Sequence, residues 1–206
     1  MVAVIDYGMG NVGSIINMLK KVGVTDVVYT KDAKEIQKAD RIILPGVGSF
    51  DVGMQNLKNY NLVGVLDQCV LEQKKPILGI CLGMQLLGNA SEEGSLPGLG
   101  YIDFSCVKID NMNHTLRVPH MGWYYVNLCK PESKLLVELP EDPRFYFVHS
   151  YHAVCKEKKD ILMTSLYGNN LTVAVEKNNV YGTQFHPEKS HVYGMKIIRN
   201  FVEECI

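Results

Sequence analysis

The chain has 206 residues, of which 47% are hydrophobic and 21% are charged. This composition is typical of a globular protein and excludes a disordered or membrane-embedded one. The length suits one large hydrophobic core, so we expect a single domain over residues 1–206. Twenty-one basic and 22 acidic residues give a net charge of −1, which predicts no nucleic-acid or anionic-lipid binding.

The first half of the chain alternates short apolar runs with amphipathic segments. This pattern predicts an α/β fold with a central, mostly parallel sheet flanked by helices. Gly23 is expected to end the first helix. The predicted strands cover residues 2–6, 26–30, 41–44 and 77–80. The predicted helices cover residues 14–22, 57–73 and 84–87.

The C-terminal half is β-rich and ends in an amphipathic segment. The helical face of that last segment, residues 191–204, is expected to cover the sheet. The predicted strands cover residues 102–109, 124–128, 144–151, 172–176 and 180–185.

The N-terminal sequence MVAVIDYGMG lacks the basic start and long apolar run of a signal peptide. No later stretch reaches membrane-spanning length, so a cytoplasmic protein with no membrane partner is expected. Six cysteines are scattered without CxxC pairs, so neither a zinc site nor a disulfide framework is predicted.

A nucleophile-elbow pattern, Gly79-Ile80-Cys81-Leu82-Gly83, joins the fourth predicted strand to a helix. Glycine is needed on both sides of the nucleophile because a Cβ atom would clash in the sharp turn. The positive end of the helix dipole would favour the thiolate of Cys81, and the N–H of Leu82 would face an oxyanion. A buried structural thiol explains this pentapeptide equally well.

The segment Gln184-Phe185-His186-Pro187-Glu188 lies at the end of the last predicted strand. Residues two apart in an extended backbone point the same way, so His186 and Glu188 are expected side by side. A cysteine nucleophile needs a base and a carboxylate that orients the base. Together the two motifs favour a Cys-His-Glu triad over a solvated turn after an edge strand.

The motifs PGVGSF, GICLGMQLL and QFHPEKS resemble, in this order, those of class I, or triad, glutamine amidotransferases. The similarity extends through DYGMGN, SEEG, PHMGW and YFVHSY and spans essentially the whole chain. The resemblance implies the flavodoxin-like fold of that family and the hydrolysis of glutamine to glutamate and ammonia. It implies no cofactor.

The resemblance also implies a role for each matching position. Cys81 would be the nucleophile, His186 the general base and acid, and Glu188 the carboxylate that orients His186. The oxyanion would be stabilised by the backbone at Val47, Gly48 and Leu82. The positions that match glutamine-binding residues are Gly48, Gln85, Glu93, Ser150 and Tyr151.

A glutaminase of this kind needs a partner, because free ammonia is protonated and diluted in water. The similarity is greatest to subunits that form a heterodimer with a (β/α)8 cyclase-type synthase. That partner makes imidazole glycerol phosphate and aminoimidazole carboxamide ribotide in histidine biosynthesis. The positions that match its interface are Asn11, Met121, Trp123, Tyr146 and Lys189.

Tyr124 departs from the family pattern, which has asparagine after Gly-Trp. Tyrosine cannot reproduce the hydrogen bonds of a carboxamide, and this segment is expected to face the partner. A second hypothesis is therefore a paralogous glutaminase whose partner aminates another acceptor, such as a surface-polysaccharide sugar. A third is a binding module with a vestigial triad.

Two other patterns suggest a cofactor or a metal. Gly8-Met9-Gly10-Asn11-Val12-Gly13, followed by Asp32, fits a dinucleotide-binding fingerprint, but the triad motifs argue against that function. His149 and His152 lie close in sequence, yet on a strand and turn they diverge. Neither a dinucleotide nor a metal is predicted.

Overall fold

Strands and helices alternate through the first half of the chain. The structure is a computed structural model that describes residues 1–111 and 115–205. The strands are β1 (Val2–Ile5), β2 (Val27–Thr30), β3 (Arg41–Leu44) and β4 (Ile77–Ile80). The helices are α1 (Val12–Lys21), α2 (Ala33–Lys38), α3 (Phe50–Asn59), α4 (Leu62–Asp67) and α5 (Leu82–Leu86).

The second half consists mainly of strands and ends in one long helix, α6 (His191–Glu203). Short 3-10 turns cover Lys134–Leu136, Lys158–Asp160 and Pro187–Lys189. The strands are β5 (Ala90–Ser91), β6 (Phe104–Lys108), β7 (His120–Tyr125), β8 (Asn127–Leu128), β9 (Arg144–His149), β10 (Tyr151–Cys155), β11 (Ile161–Tyr167), β12 (Asn169–Lys177) and β13 (Val180–Thr183).

One large sheet runs through both halves in the order β2-β1-β3-β4-β13-β12-β10-β6-β5. From β2 to β13 the neighbours are parallel, and β12, β10 and β6 continue the sheet with antiparallel pairing. β11 pairs with β12 and β8, while β7 and β9 form a separate antiparallel pair. The α/β class with a β-rich C-terminal half is therefore confirmed.

The two faces of this sheet carry different parts of the hydrophobic core. Alternate residues of a strand point to opposite faces, so Val4 and Ile43 lie on one face while Ile5 and Leu44 lie on the other. The first face packs against α1 and α6, and the second packs against α3, α4 and α5. Helices thus cover both faces of the parallel strands, as parallel sheets require.

The helix predicted over residues 57–73 is wrong in its limits. α3 begins seven residues earlier and ends at Asn59, and Asn61 then adopts a left-handed conformation with φ 56°. Asparagine tolerates this conformation better than most residues, which allows α4 to start in a new direction. A π-helical turn, Gln68–Glu72, follows α4.

Strand β11 was not predicted from the sequence. Its pairing with β12 shifts register between Ile161 and Thr164, and such a bulge interrupts the alternation by which a strand is recognised. The predicted strand over residues 144–151 is two strands, β9 and β10, which separate at Ser150. In the described ranges, no helix is long and apolar enough to cross a membrane.

Candidate active site

A cleft lies at the carboxyl ends of β4 and β13, the two neighbouring strands at the centre of the sheet. Their parallel register places Ile80 opposite Thr183, so the segments that follow them begin side by side. The cleft encloses about 290 Å³. It is lined by Val47, Gly48, Cys81, Leu82, Gln85, Glu93, Val148, His149, Ser150, Tyr151 and His186.

Cys81 occupies a strained turn between β4 and α5. Its φ of 55° and ψ of −109° are rare for a residue with a side chain. A Cβ atom on Gly79 would lie 2.6 Å from the carbonyl oxygen of Gly83, and one on Gly83 would lie 1.8 Å from that of Leu44. Both glycines are therefore required by close backbone contacts, as the elbow pattern predicts.

His186 and Glu188 form a buried hydrogen-bonded pair beside this turn. Nδ1 of His186 lies 2.8 Å from Oε1 of Glu188, and their side chains are 2% and 1% exposed. The backbone between them is a 3-10 turn, so the expected side-by-side placement is confirmed but the extended backbone is wrong. Pro187 fits the first position of that turn because its φ is fixed.

The electrostatic environment favours the charged form of His186. Burial lowers the pKa of its imidazole, but interactions with Cys81 and Glu188 outweigh burial and raise the pKa to about 9. Nε2 of His186 is buried and has no hydrogen-bond partner of regular geometry among the residues described. Cys81 nevertheless contributes to the raised pKa, and Nδ1 is already bonded to Glu188. Nε2 is therefore the ring nitrogen available to the thiol and to a substrate.

The sequence also matches a known protein family over nearly its whole length. A model of the family described as glutamine amidotransferase class-I matches residues 3–205. The chain belongs to the class I glutamine amidotransferases.

Curated relatives of similar length are consistent with this family. The chain is 54% identical to imidazole glycerol phosphate synthase subunit HisH 2 of Methanococcus maripaludis, over 100% of both chains. It is 50% identical to subunit HisH 2 of Pseudomonas aeruginosa, over 98% of this chain and 99% of that one.

Solved structures share the fold at low identity. A glutamine amidotransferase crystal structure has a TM-score of 0.72 at 19% identity and covers 98% of this chain and 97% of the other. PurLQS from Thermotoga maritima has a TM-score of 0.72 at 18% identity, with 98% of this chain and 96% of the other covered.

Gln184 is a site residue of this amidotransferase that sequence reasoning missed. It is fully buried, and its amide nitrogen lies 3.7 Å from Sγ of Cys81. Its amide oxygen accepts a 3.0 Å hydrogen bond from Nε2 of Gln85. Gln184 therefore contacts both the thiol of Cys81 and a predicted glutamine-binding side chain. Its position two residues before His186 was the available signal.

Glu93 is fixed to the start of α3 by reciprocal hydrogen bonds. The N–H of Phe50 donates to Oε2 of Glu93 at 2.9 Å. In return, the carboxylate of Asp51 accepts from the N–H groups of Ser95 and Leu96 at 2.9 to 3.0 Å. These backbone hydrogen bonds hold the pKa of Asp51 below its usual value, so the loop carrying Glu93 is attached to the helix that follows the PGVGSF segment.

Tyr7 contacts the backbone just before Val47 and Gly48, the residues predicted to stabilise the oxyanion. Its hydroxyl donates to the carbonyl of Pro45, and a Cβ atom on Gly46 would lie 2.5 Å from the same hydroxyl oxygen. Val47, which follows, is 43% exposed in the cleft mouth, and Gly48 has a φ of 118° that glycine alone adopts easily. The DYGMGN motif thus has a structural contact with the site.

Two residues of the dinucleotide fingerprint, Gly10 and Asp32, have structural roles. The carboxylate of Asp32 caps α2 by accepting from the N–H groups of Lys34 and Glu35, at 2.9 and 3.1 Å. A Cβ atom on Gly10 would lie 3.0 Å from Pro45. The Asp32 carboxylate is therefore already engaged at the position where the fingerprint would use it for a ribose.

Four of the five predicted interface residues lie together on one surface. Nζ of Lys189 is 5.7 Å from the centre of the Tyr146 ring, and the rings of Tyr146 and Trp123 are 6.3 Å apart. Met121, two residues before Trp123 on β7, is 59% exposed. Asn11 is exposed at the start of α1, which packs against the turn that carries Lys189.

The segment that contains Tyr124 is expected to face the partner, but Tyr124 does not share the surface of Met121 and Trp123. Side chains alternate along β7, so Met121 and Trp123 point outward while Tyr124 points inward. Its ring lies 4.1 Å from that of His120 and 5.4 Å from that of Tyr167. The tyrosine is thus a packing residue of the interior face, and its size does not alter the surface that carries Met121 and Trp123.

His149 and His152 do not combine as metal ligands. The ring of His149 contacts His120 and the carbonyl of Tyr151, whereas that of His152 contacts the carbonyl of Ala153. Within the described part of the chain, no group of three or more His, Cys, Asp or Glu side chains is arranged to hold a metal ion.

The close packing of the elbow predicts that Gly83→Ala lowers the free energy of unfolding by about 3 kcal/mol or more. The new Cβ would meet a backbone oxygen of β3, which cannot move alone. Gly64→Ala, within α4 where a Cβ meets nothing within 4 Å, is the matched control and should stabilise by up to about 1 kcal/mol. Urea denaturation measures both, and equal stabilities would contradict the packing.

The shifted pKa values of three buried histidines predict that the thermal midpoint of unfolding is highest near pH 6.5. Burial lowers the pKa of His120 to about 4 and of His149 to about 3. Because unfolded histidine takes up its proton near pH 6.5, their contribution is lost as the pH falls from about 6.5 to 4. The raised pKa of His186 contributes stability below about pH 6.5 that is lost as the pH rises to about 9.

Calorimetry from about pH 4 to pH 9 tests this profile. His186→Gln should flatten the alkaline side, and His120→Phe should reduce the loss on the acid side. A midpoint that stays constant between about pH 6.5 and 9 in the unsubstituted protein would contradict the assignment of His186.

Proposed function

We propose that this chain is the glutaminase subunit of imidazole glycerol phosphate synthase and acts in histidine biosynthesis as one domain. The observation that carries the proposal is the convergence of Cys81, His186 and the predicted glutamine-binding residues on one cleft. The membership in class I glutamine amidotransferases and the similarity to HisH subunits over the full length support it.

Cys81 is the nucleophile in the proposed reaction. Its thiolate attacks the carboxamide carbon of glutamine, and the backbone N–H groups of Leu82 and of the segment at Val47 and Gly48 stabilise the oxyanion. His186 gives a proton to the departing ammonia, which leaves a glutamyl thioester on Sγ. His186 then takes a proton from water as the water attacks the thioester. Glutamate is released, and the thiolate of Cys81 is regenerated beside the protonated His186.

Glu188 keeps His186 ready for both proton transfers. A carboxylate on Nδ1 fixes the ring so that Nε2 faces the reacting atoms, and it stabilises the imidazolium. The 2.8 Å contact and the burial of both side chains support this role. Glu188 acts through His186 and stays outside the lining of the cleft.

The cleft lining supports specific contacts with glutamine. Glu93 offers the carboxylate oxygen that Phe50 leaves free to the α-ammonium group of the substrate. Neutral hydrogen-bonding groups for the rest of the amino acid come from the side chains of Gln85, Ser150 and Tyr151 and from the backbone at Gly48. A volume of about 290 Å³ suits a small polar substrate.

The relatives are subunits of a synthase, so the chain has a partner subunit. We propose a (β/α)8 cyclase-type subunit that binds at the surface formed by Asn11, Met121, Trp123, Tyr146 and Lys189. Exposed aromatic and methionine side chains beside a lysine are typical of protein interfaces. The inward orientation of Tyr124 removes the reason for preferring a different acceptor of ammonia.

Cys81→Ala should abolish glutamine-dependent synthesis by the assembled complex while leaving ammonia-dependent synthesis intact. Only the first reaction needs the thiolate, whereas the acceptor site belongs to the partner. Synthesis of imidazole glycerol phosphate from glutamine or from ammonium chloride measures the two activities. Cys129→Ala, at an exposed thiol, is the control, and glutamine use that survives Cys81→Ala would overturn the catalytic assignment.

The acceptor is tested by growth without histidine. Together with its own cyclase subunit, the chain should restore growth to a strain that lacks its glutaminase subunit, because the pair would make both products from glutamine. The Cys81→Ala variant should restore growth only when ammonium is abundant. Failure of a well-folded, glutamine-hydrolysing pair would contradict the role in histidine biosynthesis and leave the glutaminase assignment intact.

A further inference from the structure

Two buried imidazoles next to the cleft have no role in the proposed reaction. His120 on β7 is paired in register with His149 on β9, and the two side chains are 0% and 5% exposed as whole residues. Nδ1 of His120 lies 2.8 Å from Nε2 of His149. Buried polar pairs of this kind are costly to form unless each group finds a partner.

The contacts fix the position of each proton. Nδ1 of His149 lies 2.8 Å from the carbonyl oxygen of Tyr151, and a carbonyl only accepts, so this nitrogen carries a hydrogen. Nε2 of His149 is then the acceptor, and Nδ1 of His120 must donate to it. Both rings are neutral near pH 7, because burial lowers both pKa values to about 4 and about 3.

Aromatic packing leaves the ring of His120 little freedom. The ring lies 4.1 Å from Tyr124, 4.3 Å from Tyr167 and 4.8 Å from Phe147, measured between ring centres. Nε2 of His120 has no hydrogen-bond partner among residues 1–111 and 115–205. The ring therefore has one polar contact, and that contact is directed at His149.

The pair connects two surfaces of functional importance. His149 and the two residues that follow it, Ser150 and Tyr151, line the cleft. His120 is adjacent to Met121, whose side chain is exposed on the proposed partner surface. A hydrogen-bonded chain thus runs from the strand that faces the partner to the carbonyl of a residue proposed to bind glutamine.

We propose that His120 and His149 are positioning residues that hold the segment at Ser150 and Tyr151 in the geometry that binds glutamine. This inference rests on the proposed function and adds to it a connection between the partner surface and the substrate pocket. Neither imidazole transfers a proton in the reaction. Their contribution is to the affinity for glutamine and to its dependence on the partner.

The first variant is His120→Phe, which keeps a planar ring in the aromatic enclosure but removes the donor. In the complex, the KM for glutamine should rise about tenfold, while synthesis from ammonium chloride stays within about twofold. We also expect the KM for glutamine to be lower in the complex than in the isolated subunit, and this difference should become smaller in the variant. His120→Asn, whose amide nitrogen lies near the place of Nδ1, should restore most of the affinity.

His149→Asn tests the other half of the pair. Its amide nitrogen can still donate to the carbonyl of Tyr151, but the acceptor for His120 is lost. The double variant His120→Phe, His149→Asn should raise KM little beyond either single variant, since both remove the same hydrogen bond. Additive increases in KM, or a KM for His120→Phe equal to that of the unsubstituted complex, would overturn the inference.

Nitrogen NMR of histidine-labelled complex tests the proton positions without any substitution. Both rings should be neutral at pH 7 and protonated at Nδ1, and the His149 signals should shift when glutamine binds. An Nε2-protonated His149 would overturn the inference even if a variant failed to fold. If the unsubstituted complex does not hydrolyse glutamine, the proposed function itself fails. If it does hydrolyse glutamine and the KM of the His120→Phe complex is unchanged, only the further inference fails.

Discussion

The parallel pairing of β4 with β13 is the constraint on which the site depends. These two strands are far apart in sequence, yet their register places Ile80 opposite Thr183. The N–H of Cys81 continues the pairing by donating to the carbonyl of Thr183 at 2.7 Å. Cys81 and the segment that carries His186 therefore leave the sheet at the same edge, where parallel α/β folds place their ligands.

Close contacts between two backbone segments at that edge of the sheet complete the cleft. Gly83 and Gly46 allow α5 and the PGVGSF segment to meet at distances that no Cβ atom permits. The cost of the left-handed backbone at Cys81 is offset by the surrounding contacts, which leave the turn no room to relax. The same contacts bring the backbone near Val47 and Leu82 to one side of the cleft, where an oxyanion would form.

Local signals in the sequence predicted the strands that build this edge, although β13 ends at Thr183, two residues before its predicted limit. β3 and β4 have the limits predicted from their apolar runs, and the elbow and His-Pro-Glu motifs indicated three residues that the structure brings close together, Cys81, His186 and Glu188. Contacts between distant segments were not predictable in the same way. The hydrogen bond from Gln85 to Gln184 and the pair formed by Asp51 and the backbone at Ser95 depend on tertiary packing, which leaves no periodic pattern in the sequence.

Tyr124 shows that a motif does not determine on which face of a strand a side chain lies. The motif predicted that its segment faces the partner, but the side of the strand on which a residue lies is set by the pairing of β7 with β9. Once His120 pairs with His149, every second residue of β7 must face inward, and Tyr124 joins the enclosure around His120. A shift of one residue in register would have reversed this assignment.

Strand β9 contacts the backbone of His186 and ends at the cleft. The backbone of Tyr146 accepts from the N–H of His186 at 3.0 Å and donates to the hydroxyl of Ser190, which itself donates to the carbonyl of His186. The ring of Tyr146 meanwhile lies beneath Lys189 on the outer surface. The strand that carries this ring is therefore hydrogen-bonded to the backbone that holds the imidazole of His186. The far end of β9, at His149, lines the cleft, so one short strand contacts both the backbone of His186 and the cleft.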